Sequence, residues 1–281
     1  MNPETLTEMP KQEKKDYSED QFYYEMIGTI DKYWRNFDNL QREKNRFIEK
    51  YPERAQEVEI FFDFSEYCQI RQEIKDRVKW EKGTAPQKYE TLTEWNFLTT
   101  NYLLHNIKDE KGAGKFWSAH RSMAIKNFRD GFELWATAKS GNVAQTAAIA
   151  ACEQFEPSQT TPFDDKVNAK DLILHSPYEN QEVSVQVKTK KDMDELDVTQ
   201  VECINYPSIS VKDINFSTVN LNEAPHTKMP LELLRELYGK KKISFEIDLP
   251  KKMYNQLTGE PTEECTEKLG QKIENIINKY R

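Results

Sequence analysis

A mixed α/β fold, with a sheet flanked by helices and an all-helical region ahead of it, is what the sequence predicts. Three observations predict it. Up to about residue 140, apolar and aromatic side chains recur at helical spacing. From Asp171 onward, short runs alternate apolar and polar side chains and are separated by polar turns. Toward the C-terminus, Ile243, Phe245 and Ile247 alternate before Pro250, and Leu269, Ile273, Ile276 and Ile277 then mark an amphipathic helix. Of the 281 residues, 37% are hydrophobic and 11% aromatic, enough for a packed core and against wholesale disorder.

In chain order, residues 1–18 are polar, contain Pro3 and Pro10, and read as a flexible tail. Residues 19–140 read as a helical region. Phe22, Met26, Ile30, Tyr33, Phe37, Leu40 and Phe47 predict one long helix over 19–50, interrupted before Pro52. Val58, Phe61, Phe62, Ile70 and Ile74 predict a second over 55–80, broken at Gly83 and Pro86. A third is expected over 89–107, and a fourth over 115–139 that stops near Gly141. Aromatic stripes of this kind read as core packing in a helical bundle rather than as a docking face.

The remainder, 141–281, reads as the sheet-bearing region. A fifth helix, 142–155 (NVAQTAAIAACEQF), has small side chains suited to close packing on a sheet and carries Glu153. A polar linker leads to an extended run from Asp171, a turn at 176–181, and a second extended run over 182–189. Residues 191–200 are charged and begin as a helix or turn; strands are expected at 201–209, 214–221 and 243–249, and helices at 230–238 and 262–279.

A net charge of −8 argues against indiscriminate coating of a nucleic-acid backbone but leaves room for a local basic patch. Cys68, Cys152, Cys203 and Cys265 form no CxxC pair, so a zinc site is not expected and a reduced, cytoplasmic compartment is. No apolar run reaches membrane-spanning length and no signal peptide is read, so no membrane partner is expected.

Chemistry concentrates in the hairpin. Gln186 and Lys188 are two apart and share a face of their strand, while an aspartate opens the neighbouring one. The oxygens of Asp171, the Gln186 amide and a main-chain carbonyl suit Mg²⁺, with Mn²⁺ as a substitute, and a metal so held can offset charge on a phosphodiester. Lys188 can position the attacking water; it acts as a base only with a depressed pKa and otherwise acts electrostatically. Taken singly, Asp171 also suits a strand-start turn, and Gln186 and Lys188 the solvent face of an edge strand. Asp164 and Asp165 compete with Glu153 for a place at the metal, and His175 reads as a turn residue. Lys190 and Lys191 beside the hairpin, with Arg121 and Lys126 on the fourth helix, are the candidate phosphate contacts.

The order of acid-bearing helix (Glu153), linker, Ala169-Lys170-Asp171, turn and Gln186-Val187-Lys188 resembles the restriction-endonuclease-like PD-(D/E)xK nuclease superfamily, in its variant with QxK for ExK. The resemblance covers roughly 141–249, and no Pro-Asp precedes the hairpin. It implies a restriction-endonuclease-like mixed sheet and a metal-dependent nuclease with DNA as the favoured substrate. Carried over by residue, Asp171 is the central metal-binding acid, Gln186 the acid-or-amide ligand, Val187 a carbonyl ligand, Lys188 the water-orienting lysine and Glu153 the helix-borne acid. It also implies an alternative, a nuclease-like scaffold without turnover that binds nucleic acid or a partner protein. A homodimer or a partner protein docked on the helical region fits either.

Overall fold

The computed structural model describes residues 17–81, 84–159, 171–178, 181–190, 195–205 and 241–280. Most of the expected tail, Asp164 and Asp165, Lys191, the strand expected at 214–221 and the helix expected at 230–238 lie outside these residues. Six helices come first: α1 (Tyr17–Tyr33), α2 (Phe37–Lys50), α3 (Ala55–Lys75), α4 (Thr84–His105), α5 (Glu110–Asn127) and α6 (Gly131–Ala151). Strands β1 (Ser158–Gln159), β2 (Leu172–Leu174), β3 (Gln181–Lys190), β4 (Asp197–Asn205) and β5 (Lys241–Pro250) follow, then helix α7 (Glu263–Lys279).

Two of the expected helices divide differently. The helix expected over 19–50 is α1 and α2, because the Asn36 side chain accepts from the Asn39 N–H and starts a new helix there. Trp34, at the break, packs on Phe128 with ring centroids 5.3 Å apart. The break expected at Gly141 falls instead before Gly131, and α6 runs unbroken through Gly141. At Gly131 the backbone lies so close to the end of α5 that a Cβ would sit 2.0 Å from the Ala124 carbonyl oxygen. Gly141 faces open space. The two glycines therefore predict opposite outcomes in urea unfolding. Gly131→Ala destabilises by about 1–3 kcal/mol through overpacking, and Gly141→Ala stabilises by up to about 1 kcal/mol through helix propensity.

The helical region is built around aromatic side chains. Phe61 and Phe64 from α3, Trp95 from α4, and Phe116 and Trp117 from α5 are buried together. His120 is enclosed among them, its ring centroid 4.2 Å from Phe116 and 4.8 Å from Phe61. Buried Glu57 is held by the Tyr23 hydroxyl and, at 2.8 Å, by Arg54.

The sheet is mixed, with five strands in the order β1-β2-β3-β5-β4. The strands β1, β2 and β3 form an antiparallel meander, β3 and β5 run parallel along their whole length, and β4 lies antiparallel to β5 at the edge. The two residues of β1, inside the expected linker, are too few to leave a periodic pattern. One face of the sheet is apolar: Leu172, Leu174, Val183, Val185, Ile243, Phe245, Ile247 and Leu249 are all buried. Helix α6 packs on β3 and on α7, and its buried Ala144, Ala147, Ala148 and Ala151 permit the close approach. Because α6 also packs on α4 and α5, one buried cluster runs from the helical region into the sheet. No helix among the described residues is long and apolar enough to cross a membrane.

Candidate active site

Asp171 stands one residue ahead of β2, where the ladder to β3 has run out. Its own N–H donates to the Val185 carbonyl at 2.8 Å. Its carboxylate accepts from the Val187 N–H at 2.6 Å. The aspartate thus replaces a missing backbone acceptor and brackets Gln186 from both sides. From α6, Gln145 donates its amide to the main-chain oxygen of Asp171 at 3.3 Å. The Thr100 hydroxyl of α4 lies 3.2 Å from the Gln145 amide oxygen and 3.0 Å from that of Asn142. A chain of neutral polar groups therefore ties the helical region to the start of β2. An acid-seeking reading of the fifth helix passes over Gln145, since its side chain is an amide.

The polar face of β3 carries Ser184, Gln186 and Lys188, and the parallel register sets these against Ser244, Glu246 and Asp248 of β5. The two serine hydroxyls meet at 2.8 Å. Lys188 is 47% exposed and reaches back along the strand to the Glu246 carboxylate at 2.5 Å. Glu246, only 12% exposed, is a partly buried charge with a direct counter-ion, as such a charge requires. Asp248 is wholly buried on the same face. Neither acid of β5 was singled out by sequence reasoning. The signal was the two-residue spacing of Ser244, Glu246 and Asp248 between the apolar positions of that strand.

Among the expected site residues, Asp171 lies across β3 beside Gln186, and Lys188 stands two residues on along the face that carries Gln186. Val187 contributes the N–H that fixes Asp171, and its side chain packs against the core. Glu153 is not brought to them. It lies exposed in the turn after α6, beside Phe155, whose carbonyl accepts from the His175 N–H at 2.8 Å. His175 is at the far end of β2 from Asp171, roughly 13 Å along the strand at its usual rise. The helix gives a similar separation: eight residues from Gln145 to Glu153 span about 12 Å. A carboxylate at that distance cannot share a metal with Asp171.

Two of the expected phosphate contacts have partners within the protein. Lys126 is paired with Asp31 of α1 at 2.9 Å, and Arg121 lies over the rings of Phe132 and Trp135. Lys190 continues β3, its side chain outside the description. No three His, Cys, Asp or Glu side chains among the described residues are grouped to hold a metal. The oxygen donors beside the Gln186 amide are Asp171 on one side and Glu246 on the other. One or two carboxylates with an amide oxygen match Mg²⁺, which keeps several of its waters, better than a cage made wholly of protein. Cys68, Cys152 and Cys265 are buried free thiols; burial pushes Cys152 up to about 12, so it is not a thiolate ligand at neutral pH. Compared with protein-family models, with curated proteins and with solved structures, the chain matches none of them.

Proposed function

We propose that the chain is a metal-dependent phosphodiesterase acting on nucleic acid, with DNA as the favoured substrate and with a restriction-endonuclease-like core. The observation that carries this reading is the pinning of the Asp171 carboxylate across Gln186, with Lys188 on the same strand face and Glu246 beside it. The succession of α6, an antiparallel meander and a strand parallel to β3 supports the fold assignment, with β4 as an added edge strand.

Asp171 and the Gln186 amide oxygen, with the main-chain oxygen of Val187, would hold Mg²⁺ or Mn²⁺, which supplies charge stabilisation to the phosphoryl oxygens. Glu246 is a further carboxylate on the same face and offsets the negative charge that glutamine removes from position 186. The Val187 N–H and the Gln145 amide fix Asp171 before substrate arrives, so no reorientation is needed during reaction. Lys188, exposed and held in place by Glu246, orients a water and faces the phosphate.

A second reading, a scaffold without turnover, is favoured by the glutamine at position 186 and by the closed Lys188–Glu246 pair. One assay separates them: cleavage of supercoiled plasmid, single-stranded DNA and RNA with Mg²⁺ or Mn²⁺. Lys188→Ala should lower the cleavage rate by about 10²-fold, the usual scale for losing one electrostatic stabiliser. A metal-dependent wild-type activity that Lys188→Ala leaves intact refutes the assignment.

A further inference from the structure

The exposed surface where α5 meets the first turns of α6 combines ring faces with cations. Phe132 is 56% exposed, although it is a large apolar side chain. Trp135 follows one turn later with its ring centroid 5.7 Å away. Arg121 comes across from α5 and places its guanidinium 5.5 Å from one ring and 5.7 Å from the other. Lys139, one further turn along, lies 5.6 Å from the Trp135 ring. Burial and, after it, the neighbouring charge of Lys251 hold the Lys139 amine below the ordinary lysine range.

Several nearby cations are paired with acids: Lys126 of α5 with Asp31, Arg129 of the α5–α6 turn with Asp76, and Lys75 of α3 with Glu133. Among the described residues, Arg121, Lys139 and Lys251 form no ion pair. In a chain of net charge −8, cations gathered on aromatic faces without a protein carboxylate between them leave an anion as the missing counterpart. Rings that alternate with phosphate-binding cations are the arrangement that grips single strands, whose bases are free to stack.

We propose that Arg121, Phe132, Trp135, Lys139 and Lys251 form a platform for single-stranded nucleic acid, the rings stacking bases and the cations holding the phosphates between them. The platform adjoins the site described above. Lys139 is about 9 Å along α6 from Gln145. Lys251 directly follows β5, three residues past Asp248, which is in register with Lys188. A strand crossing the platform is led to the end of the sheet where Lys188 and Glu246 pair. This last step rests on the hydrolase reading; binding itself does not.

The test is fluorescence anisotropy in EDTA with labelled oligo(dT), oligo(U) and a duplex of equal length, each about 12 nucleotides long to cover one platform. The wild-type protein is expected to bind one or both single strands more tightly than the duplex, and the two arms report which sugar it accepts. Phe132→Ala should weaken binding about tenfold, and Phe132→Trp should retain it. Lys139→Gln with Lys251→Gln should reduce the slope of log affinity against log salt by about 1.4, the value for two phosphate contacts on a single strand. Thermal melts of each variant show that it is folded. Absence of affinity in the wild type, tighter binding of duplex, or unchanged binding in both the ring and the lysine variants overturns the platform. A wild-type protein that grips oligo(dT) but never cleaves it with Mn²⁺ upholds the platform and refutes only the hydrolase.

Discussion

Asp171→Ala is expected to lower metal-dependent cleavage by about 10²–10³-fold or more and to destabilise the protein by about 1–3 kcal/mol. The first effect follows, on the proposed hydrolase reading, from losing the carboxylate that would hold the metal. The second follows from the Val187 N–H, which donates to that carboxylate at 2.6 Å and has no ladder acceptor to replace it. Asp171→Asn separates the two. Its amide oxygen can still accept from Val187, so most of the stability should return, whereas the charge, and with it cleavage, should not. Urea unfolding and a plasmid-nicking assay on the three proteins read both quantities. An Asp171→Asn protein as active as wild type would make Asp171 a strand-start turn former and nothing more.

The second large effect is on acid stability. His120 is completely buried, and desolvation pulls its pKa down from 6.5 to about 3, with its hydrogen bond to the Phe116 carbonyl acting in the opposite direction. That bond, from Nδ1 at 2.8 Å, fixes the tautomer, and among the described residues Nε2 has no hydrogen-bond partner. The unfolded chain takes up a proton below its ordinary pKa while the folded chain refuses it. The neutral-His contribution is therefore complete above about pH 6.5 and is lost as pH falls toward about 3, at roughly 1.4 kcal/mol per pH unit. At about pH 4.5 the wild type should have lost on the order of 2–3 kcal/mol on this account. His120→Leu should remove that slope. Asp63 and Glu66, raised by burial, push stability the other way in acid, so the difference between wild type and variant is the quantity to measure. Parallel stability–pH curves for the two proteins would place the protonation elsewhere.

The hairpin was legible because it is local. Asp171, Gln186 and Lys188 lie within one turn and two strands, and the period-two alternation of β3 assigns the last two to one face. Glu246 was not legible as a neighbour of Lys188, because their meeting depends on β5 pairing parallel with β3 across sixty residues of sequence. Glu153 was expected as the acid of its helix, whereas the group that reaches the Asp171 main chain is the Gln145 amide, two helical turns earlier. The misplaced helix break has a similar cause. Gly141 looks like a stop in isolation, but what ends α5 is the tight passage at Gly131 against Ala124, a contact that periodicity does not record.

The position of β5 has a consequence for biosynthesis. Of the strands described in this sheet it is the last to leave the ribosome, yet it lies between β3 and β4, which precede it. Until residue 250 has emerged, no other described strand joins those two, and the pairing that unites them has a long chain to close. Lys188 meets its counter-charge only when that strand docks. Translation thus sets the order in which the polar face shared by β3 and β5 is assembled, and a chain cut short before residue 241 lacks both Glu246 and, among the described residues, the strand that joins β3 to β4.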